Sequence, residues 1–275
     1  MYMKKKFKPR KFEKREKFNG HTSHNQEKIY MYGRHALEEA LAKAPHTVRK
    51  VFLSPEAAER DLSDNLSKRG IAFSIMKSND AAHLVGKDAS HQGVIAIIAP
   101  GSLVQDFNTF KKNLKPTEET ILVLLDELTD PQNVGAIIRS AAAFGASGVL
   151  IPEHRQAPVT GAVVKVSAGM VFSVPLISIG NVNYAIQDLR EMGFKTYGLV
   201  MEGNMNIADE PFEAPTLFIV GNEGRGIREK TLELCDVKLR IPMDPKCESL
   251  NASVSAAIVL YAWSVKHSGI LKKIF

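Results

Sequence analysis

The apolar residues of this chain fall in short continuous runs set apart by amphipathic or polar stretches. From residue 120 onward the runs are ILVLLDE, GVLIP, VPLISI, KTYGLV, TLFIVG and VKLRIP, with helical segments between several of them. Runs of this length, rich in branched side chains, predict buried strands. Strands alternating with helices predict a mostly parallel sheet covered on both faces. A smaller alternation precedes it, from residue 30 to about 100. YGRHALEEAL (32–41) begins a helix and VRKVFLS (48–54) is a strand. A helix over about 56–69 ends at Gly70, and AFSIM (72–76) and GVIAIIA (93–99) are further strands. The stretch 101–119 is polar, with little apolar periodicity, and reads as a linker. The last helix, over about 250–267, carries no charge before Lys266. A helix that apolar is buried, in its own core or against a second subunit.

The expected division is therefore a tail over 1–28, a small α/β domain over 29–100, a linker over 101–119 and a larger α/β domain over 120–270. A length of 275 residues suits two domains. Apolar content of 44% and charged content of 24% place the chain with ordinary globular proteins. No apolar run approaches the roughly 20 residues of a membrane span. The basic start leads into no apolar signal core, so the cytoplasm is the expected compartment. Cys235 and Cys247 stand too far apart for a metal-binding pair, and two cysteines make no disulfide framework; no metal is expected.

Charge adds a partner class. The net charge is +6, and KFKPRKFEKREK (6–17) is dense in Lys and Arg, with Phe7, Phe12 and Phe18 interleaved. Too charged to fold alone, this tail suits phosphates and bases, or it serves only as a solubilising tail.

Three segments carry candidate chemistry. In LDELTDPQNVGAIIRSAAAFG (125–145), Asp130 and Pro131 start a helix on which Val134, Ile137, Ile138, Ala141 and Ala142 form one stripe. The other face is Gly135, Ala136, Ser140 and Ala143, so something solid packs there too. Asn133 and Arg139 are the large polar groups beside the stripe. Arg139 calls for an anion, either a ligand phosphate or a carboxylate of the same chain. In FIVGNEGRGI (218–227) a strand runs into Gly221, Gly224 and Gly226, with Asn222 and Glu223 between them. Such glycines let a backbone approach a ligand. The spacing fits neither a dinucleotide fingerprint nor a P-loop, which also sets aside a nicotinamide-dependent oxidoreductase. In IPMDPKCESLNASVSAAIVLYAW (241–263), Ser249 takes the N-cap position of the last helix, and capping leaves Asn251 unexplained.

In this order and spacing, these segments resemble the three signature motifs of the SpoU (TrmH-like) family of RNA ribose methyltransferases, within the SPOUT superfamily. GRHALEEAL and HQGVIAIIAP resemble pieces of the ribosomal-protein-like RNA-binding domain that many members carry. The resemblance implies an α/β fold whose C-terminal domain is knotted as a trefoil, preceded by that small RNA-binding domain. It implies S-adenosylmethionine as cofactor, held by Gly221, Glu223, Ile241, Met243 and Leu250, and a homodimer built through the same region. Asn133, Arg139, Glu223, Ser249 and Asn251 match the family's active-site positions. The implied reaction is attack of a ribose 2′-oxygen on the cofactor's methyl. The likeness is greatest to the bacterial branch acting on a guanosine of large-subunit ribosomal RNA; transfer RNA is the alternative substrate, and an inactive RNA-binding relative the rival class. Arg139 has been proposed as the base in this family, but a guanidinium gives up its proton only at extreme pH, so a clamp on phosphate or hydroxyl suits it better. Pro245 and Cys247 depart from the family pattern, which commonly has glycine and a small apolar residue there. Proline removes a backbone N–H that a cofactor could use.

Overall fold

The computed structural model describes residues 28–58, 62–77, 80–86 and 89–271. The basic tail expected over 1–28 lies outside the described residues apart from Lys28.

The first unit contains β1 (Ile29–Tyr32), α1 (Arg34–Lys43), β2 (Val48–Leu53), α2 (Pro55–Ala57), α3 (Ser63–Lys68), β3 (Phe73–Ile75), α4 (Asp80–Val85) and β4 (Val94–Ile98). Its four-stranded sheet has the order β1-β4-β2-β3. Within the helix expected over 56–69 the described residues include α2 and α3, and Gly70 follows α3 with φ 66°. β1 escaped the sequence reading because four residues with every second one buried give too short a signal.

The second unit contains β5 (Val104–Asp106), α5 (Phe107–Asn113), β6 (Ile121–Asp126), α6 (Pro131–Ala143), β7 (Gly148–Pro152), α7 (Gly161–Val166), β8 (Leu176–Ile179), α8 (Val182–Glu191), β9 (Lys195–Leu199), β10 (Met205–Asn206), β11 (Thr216–Gly221), α9 (Glu229–Leu232), β12 (Val237–Arg240), α10 (Ala252–Lys266) and α11 (Ser268–Leu271). Its sheet runs β10-β12-β9-β11-β6-β7-β8-β5, and every pairing in it is parallel. Side chains alternate across the sheet. Ile121, Val123 and Leu125 join the core under α6, α7 and α10. Leu122 and Leu124 join the core under α5 and α8. Burial on both faces explains why β6 and β7 read as unbroken apolar runs.

The stretch 101–119 is no featureless linker. β5 pairs with β8 at the sheet edge, and α5 buries Phe107 and Phe110. An edge strand and a helix with two buried residues need too few apolar positions to register as a period. A second correction concerns α10. It begins at Ala252, and its N-cap is Asn251, whose Oδ1 accepts the N–H groups of Ser253 (2.9 Å) and Val254 (3.4 Å). Ser249 belongs to the non-helical stretch before it, which lines a pocket described below.

The crowded second face of α6 packs on α7, with Gly135 buried between them. α10 packs on α6 and β11. After β11 the chain goes outward to β12, beyond β9, and returns with α10 against α6 and β11. The two units share one continuous apolar core. At their junction β1 meets α7 so closely that a Cβ on Gly161 would lie 1.9 Å from the Tyr30 carbonyl oxygen.

Candidate active site

In a parallel sheet, ligands sit beyond the carboxyl ends of the strands, where the following loops converge. Here the loops after β9, β11 and β12 meet around a pocket of about 530 Å³. Leu199, Val220, Ile227 and Leu239 give it apolar walls. Of the residues singled out in the sequence, Gly221, Glu223, Ile241, Met243, Ser249 and Leu250 line it.

The loop after β11 folds back upon itself. Asn222 and Gly226 exchange backbone hydrogen bonds of 3.0 and 2.9 Å. The Asn222 side-chain oxygen accepts the N–H groups of Gly224 (3.0 Å) and Arg225 (3.2 Å). A Cβ on Gly221 would lie 2.3 Å from both the Gly226 carbonyl carbon and the Ile227 nitrogen. That separation is far inside van der Waals contact, so this loop closes only over glycine.

Asn133, buried on the first turns of α6, donates from Nδ2 to Glu223 Oε1 at 2.9 Å. This bond joins the first and second sequence segments across 90 positions. It fixes the amide, and it holds an exposed carboxylate at the pocket. Asn251 stands next to the pocket-lining Ala252. Its Oδ1 is committed to capping and to the Ser253 hydroxyl (2.6 Å), leaving its amide nitrogen for any ligand. Arg139 is not among the lining residues. Six positions after Asn133, it stands about 9 Å further along the helix. It is exposed and makes no ion pair among the described residues, so the intramolecular salt bridge allowed by the sequence is not the one formed there.

Pro245 is accommodated by a turn, in which the Cys247 N–H donates to the Asp244 carbonyl at 2.8 Å. Proline at the second position of such a turn supplies the required φ and has no N–H to lose.

An ionic latch went unread in the sequence. Asp126, fully buried at the end of β6, accepts from Arg228 Nε (2.8 Å), Nη2 (2.6 Å) and backbone N–H (3.1 Å). The Glu127 carbonyl accepts Asn222 Nδ2 at 2.7 Å. Together these bonds tie the β6 and β11 loops. The available signal was the pair of acids in LLDEL, ending an otherwise apolar strand. Among the described residues, no group of His, Cys, Asp or Glu could hold a metal ion, and no helix is long and apolar enough to cross a membrane.

Known proteins resemble this chain in sequence and fold. Residues 120–261 match the SpoU rRNA Methylase family, and residues 30–103 match the RNA 2′-O ribose methyltransferase substrate binding family. A TrmH family tRNA/rRNA methyltransferase of Staphylococcus haemolyticus is 33% identical over 239 residues, covering 86% of this chain and 94% of that protein. A tRNA/rRNA methyltransferase of Mycobacterium avium is 35% identical over 241 residues, covering 86% and 77%. Among solved structures, the SpoU methyltransferase AviRb of Streptomyces viridochromogenes, in complex with AdoMet, superimposes with a TM-score of 0.74 at 25% identity, covering 88% of this chain and 92% of that one. The AdoMet-bound rRNA methyltransferase of Sinorhizobium meliloti has the same fold, with a TM-score of 0.72 at 21% identity, covering 88% of each chain. The three converging segments and the small domain before them thus have one common explanation: the chain belongs to the SpoU methylase family of RNA methyltransferases.

Proposed function

We propose that the chain transfers a methyl group from S-adenosylmethionine to a ribose 2′-hydroxyl, that of a guanosine in large-subunit ribosomal RNA. The observation that carries this reading is the Asn133–Glu223 bond beside an apolar, glycine-walled pocket. The pocket suits the cofactor. Its apolar walls match a purine, and the Gly221 loop offers main-chain groups at close range. Gly221, Glu223, Ile241, Met243 and Leu250 would hold it. Bound there, it supplies a methyl group on a sulfonium, itself a good leaving group.

The protein's task is then to align the hydroxyl oxygen and ease the loss of its proton. Asn133, fixed by Glu223, presents an oriented amide to the ribose. Ser249 and the free amide nitrogen of Asn251 supply further polar contacts. Arg139, unpaired among the described residues, clamps a substrate phosphate or hydroxyl. The small domain reads the RNA. Along α10, Val254, Tyr261 and Val265 are exposed, and a second copy of the chain covers them in a homodimer. The C-terminal segment threads as a trefoil.

The test is transfer of labelled methyl from S-adenosylmethionine to total RNA lacking this modification, followed by digestion to nucleosides. Labelled 2′-O-methylguanosine in large-subunit RNA is the expected product. Label in transfer RNA would keep the reaction and overturn the substrate. Cofactor binding without transfer to any RNA would favour an inactive binding relative. Asn133→Ala or Arg139→Ala should lower transfer at least a hundredfold with the fold intact, about the scale of losing one positioned group at a reacting centre. Full activity in both would remove these residues from the site.

A further inference from the structure

Three exposed arginines, Arg155, Arg225 and Arg228, stand at or against the loops after β6 and β11, and the transfer chemistry uses none of them. Arg155 has the most unusual setting. It has φ 56°, and Glu127, the residue it faces, has φ 61°. Both are left-handed without being glycine, a conformation that costs energy and collects at functional sites. Arg155 Nη1 lies 3.4 Å from Glu127 Oε1, and Arg228 Nη1 lies 3.5 Å from the same oxygen. Arg155 thus spends one N–H on a long hydrogen bond to Glu127, and a guanidinium carries five donors, so Glu127 steadies the group and leaves most of its donors free.

The two arginines differ in what else they do. Arg228 is committed to the buried Asp126. Arg155 has no further partner among the described residues, and its side chain is 78% exposed. Its backbone is nevertheless pinned. The buried Gln156 accepts the Leu128 N–H at 2.9 Å, and the Ala157 N–H donates to the Leu128 carbonyl at 2.8 Å. The result is a planar fork of donors on a rigid base, which suits a phosphate. Its distance from the chemistry is short in bonds. The Glu127 carbonyl holds Asn222, and the next residue, Glu223, holds Asn133.

We propose that Arg155, steadied by Glu127 together with Arg228, binds a backbone phosphate of the RNA beside the ribose presented to the pocket. This rests on the reading of the pocket as a site of methyl transfer to RNA. The test uses the full chain and in vitro-transcribed large-subunit ribosomal RNA, with binding measured over a range of salt. It compares wild type, Arg155→Ala, Arg155→Lys and, as a charge-matched control, the exposed Lys112→Ala at the far sheet edge. Arg155→Ala should weaken RNA binding about tenfold and reduce the slope of log affinity against log salt by about one. The KM for RNA should rise, while calorimetric binding of S-adenosylmethionine stays unchanged. Arg155→Lys should keep the slope. An Arg155→Ala variant that matches Lys112→Ala in affinity and slope overturns the proposal, as does one that loses cofactor binding, or a wild type that does not bind the RNA. If wild type transfers no methyl to any RNA and Arg155→Ala still loses affinity, the transfer reading falls and the phosphate site stands.

Discussion

At the scale of single residues, the same side-chain chemistry takes different values in different surroundings. Burial alone would raise the pKa of Asp236. Hydrogen bonds from the Thr196 hydroxyl (2.7 Å) and backbone N–H (2.9 Å), with the Arg190 guanidinium (2.7 Å), outweigh it and hold the carboxyl below its ordinary value. A folded-state pKa below the unfolded one gives stability that is complete above the unfolded value, about 3.9, and is lost as pH falls through the folded one. Replacing Asp236 by Asn should therefore lower the melting temperature most at neutral pH, and the gap to wild type should close below about pH 4. A gap independent of pH would refute this. Next to it, burial first, and then the nearby Asp236 and Asp126 carboxylates, push the Cys235 thiol up to about 12. Asn133 and Glu223 stood out in the sequence as polar groups where apolar residues or glycine were expected. Asp126 and Arg155 did not, because their meaning lies in contacts with residues 102 and 28 positions away.

At the scale of elements, the loop after β11 shows how much geometry three glycines can encode. The sequence indicated a close backbone approach, and the structure assigns it to Gly221 against the chain at Gly226 and Ile227. Gly221→Ala should open this loop, destabilise the protein by about 1–3 kcal/mol and weaken S-adenosylmethionine binding; calorimetry and thermal melting measure both. A variant with wild-type affinity and melting would show that the loop yields cheaply. α10 was legible as an uncharged helix, but its partners were not. One face carries Ala256, Leu260 and Trp263 into the core, while Tyr261, half exposed, meets Phe144 edge-on with ring centroids 5.9 Å apart. Its first residue was misplaced because Ser249 and Asn251 are both good caps. The Ser253 and Val254 N–H groups donating to Asn251 Oδ1 decide between them.

At the scale of the whole molecule, the shared core makes the small unit a rigid extension of the large one. The contact at Gly161 leaves no room for a methyl group, and Gly169 packs against α1 at Glu39 and Ala36 in the same junction. Gly161→Ala should separate the units, making the chain near residue 100 sensitive to protease. It should lower transfer to RNA while sparing S-adenosylmethionine binding, since the pocket lies wholly in the second unit. Unchanged proteolysis and transfer would mean that the junction adjusts.

What the sequence by itself determined was the set of strands and helices with strong periodicity and the close backbone approach at the glycines after β11. Each of these depends on local spacing: apolar runs for strands, a 3.6-residue stripe for α6, glycines at a strand end. The tertiary structure alone decided the order of the sheet, the joining of β5 and α5 to it, and the true start of α10. It also decided the Asn133–Glu223 bond, the Asp126–Arg228 latch and the setting of Arg155. These rest on contacts between residues remote in the chain, which the packing of a doubly covered sheet brings together and no local pattern encodes.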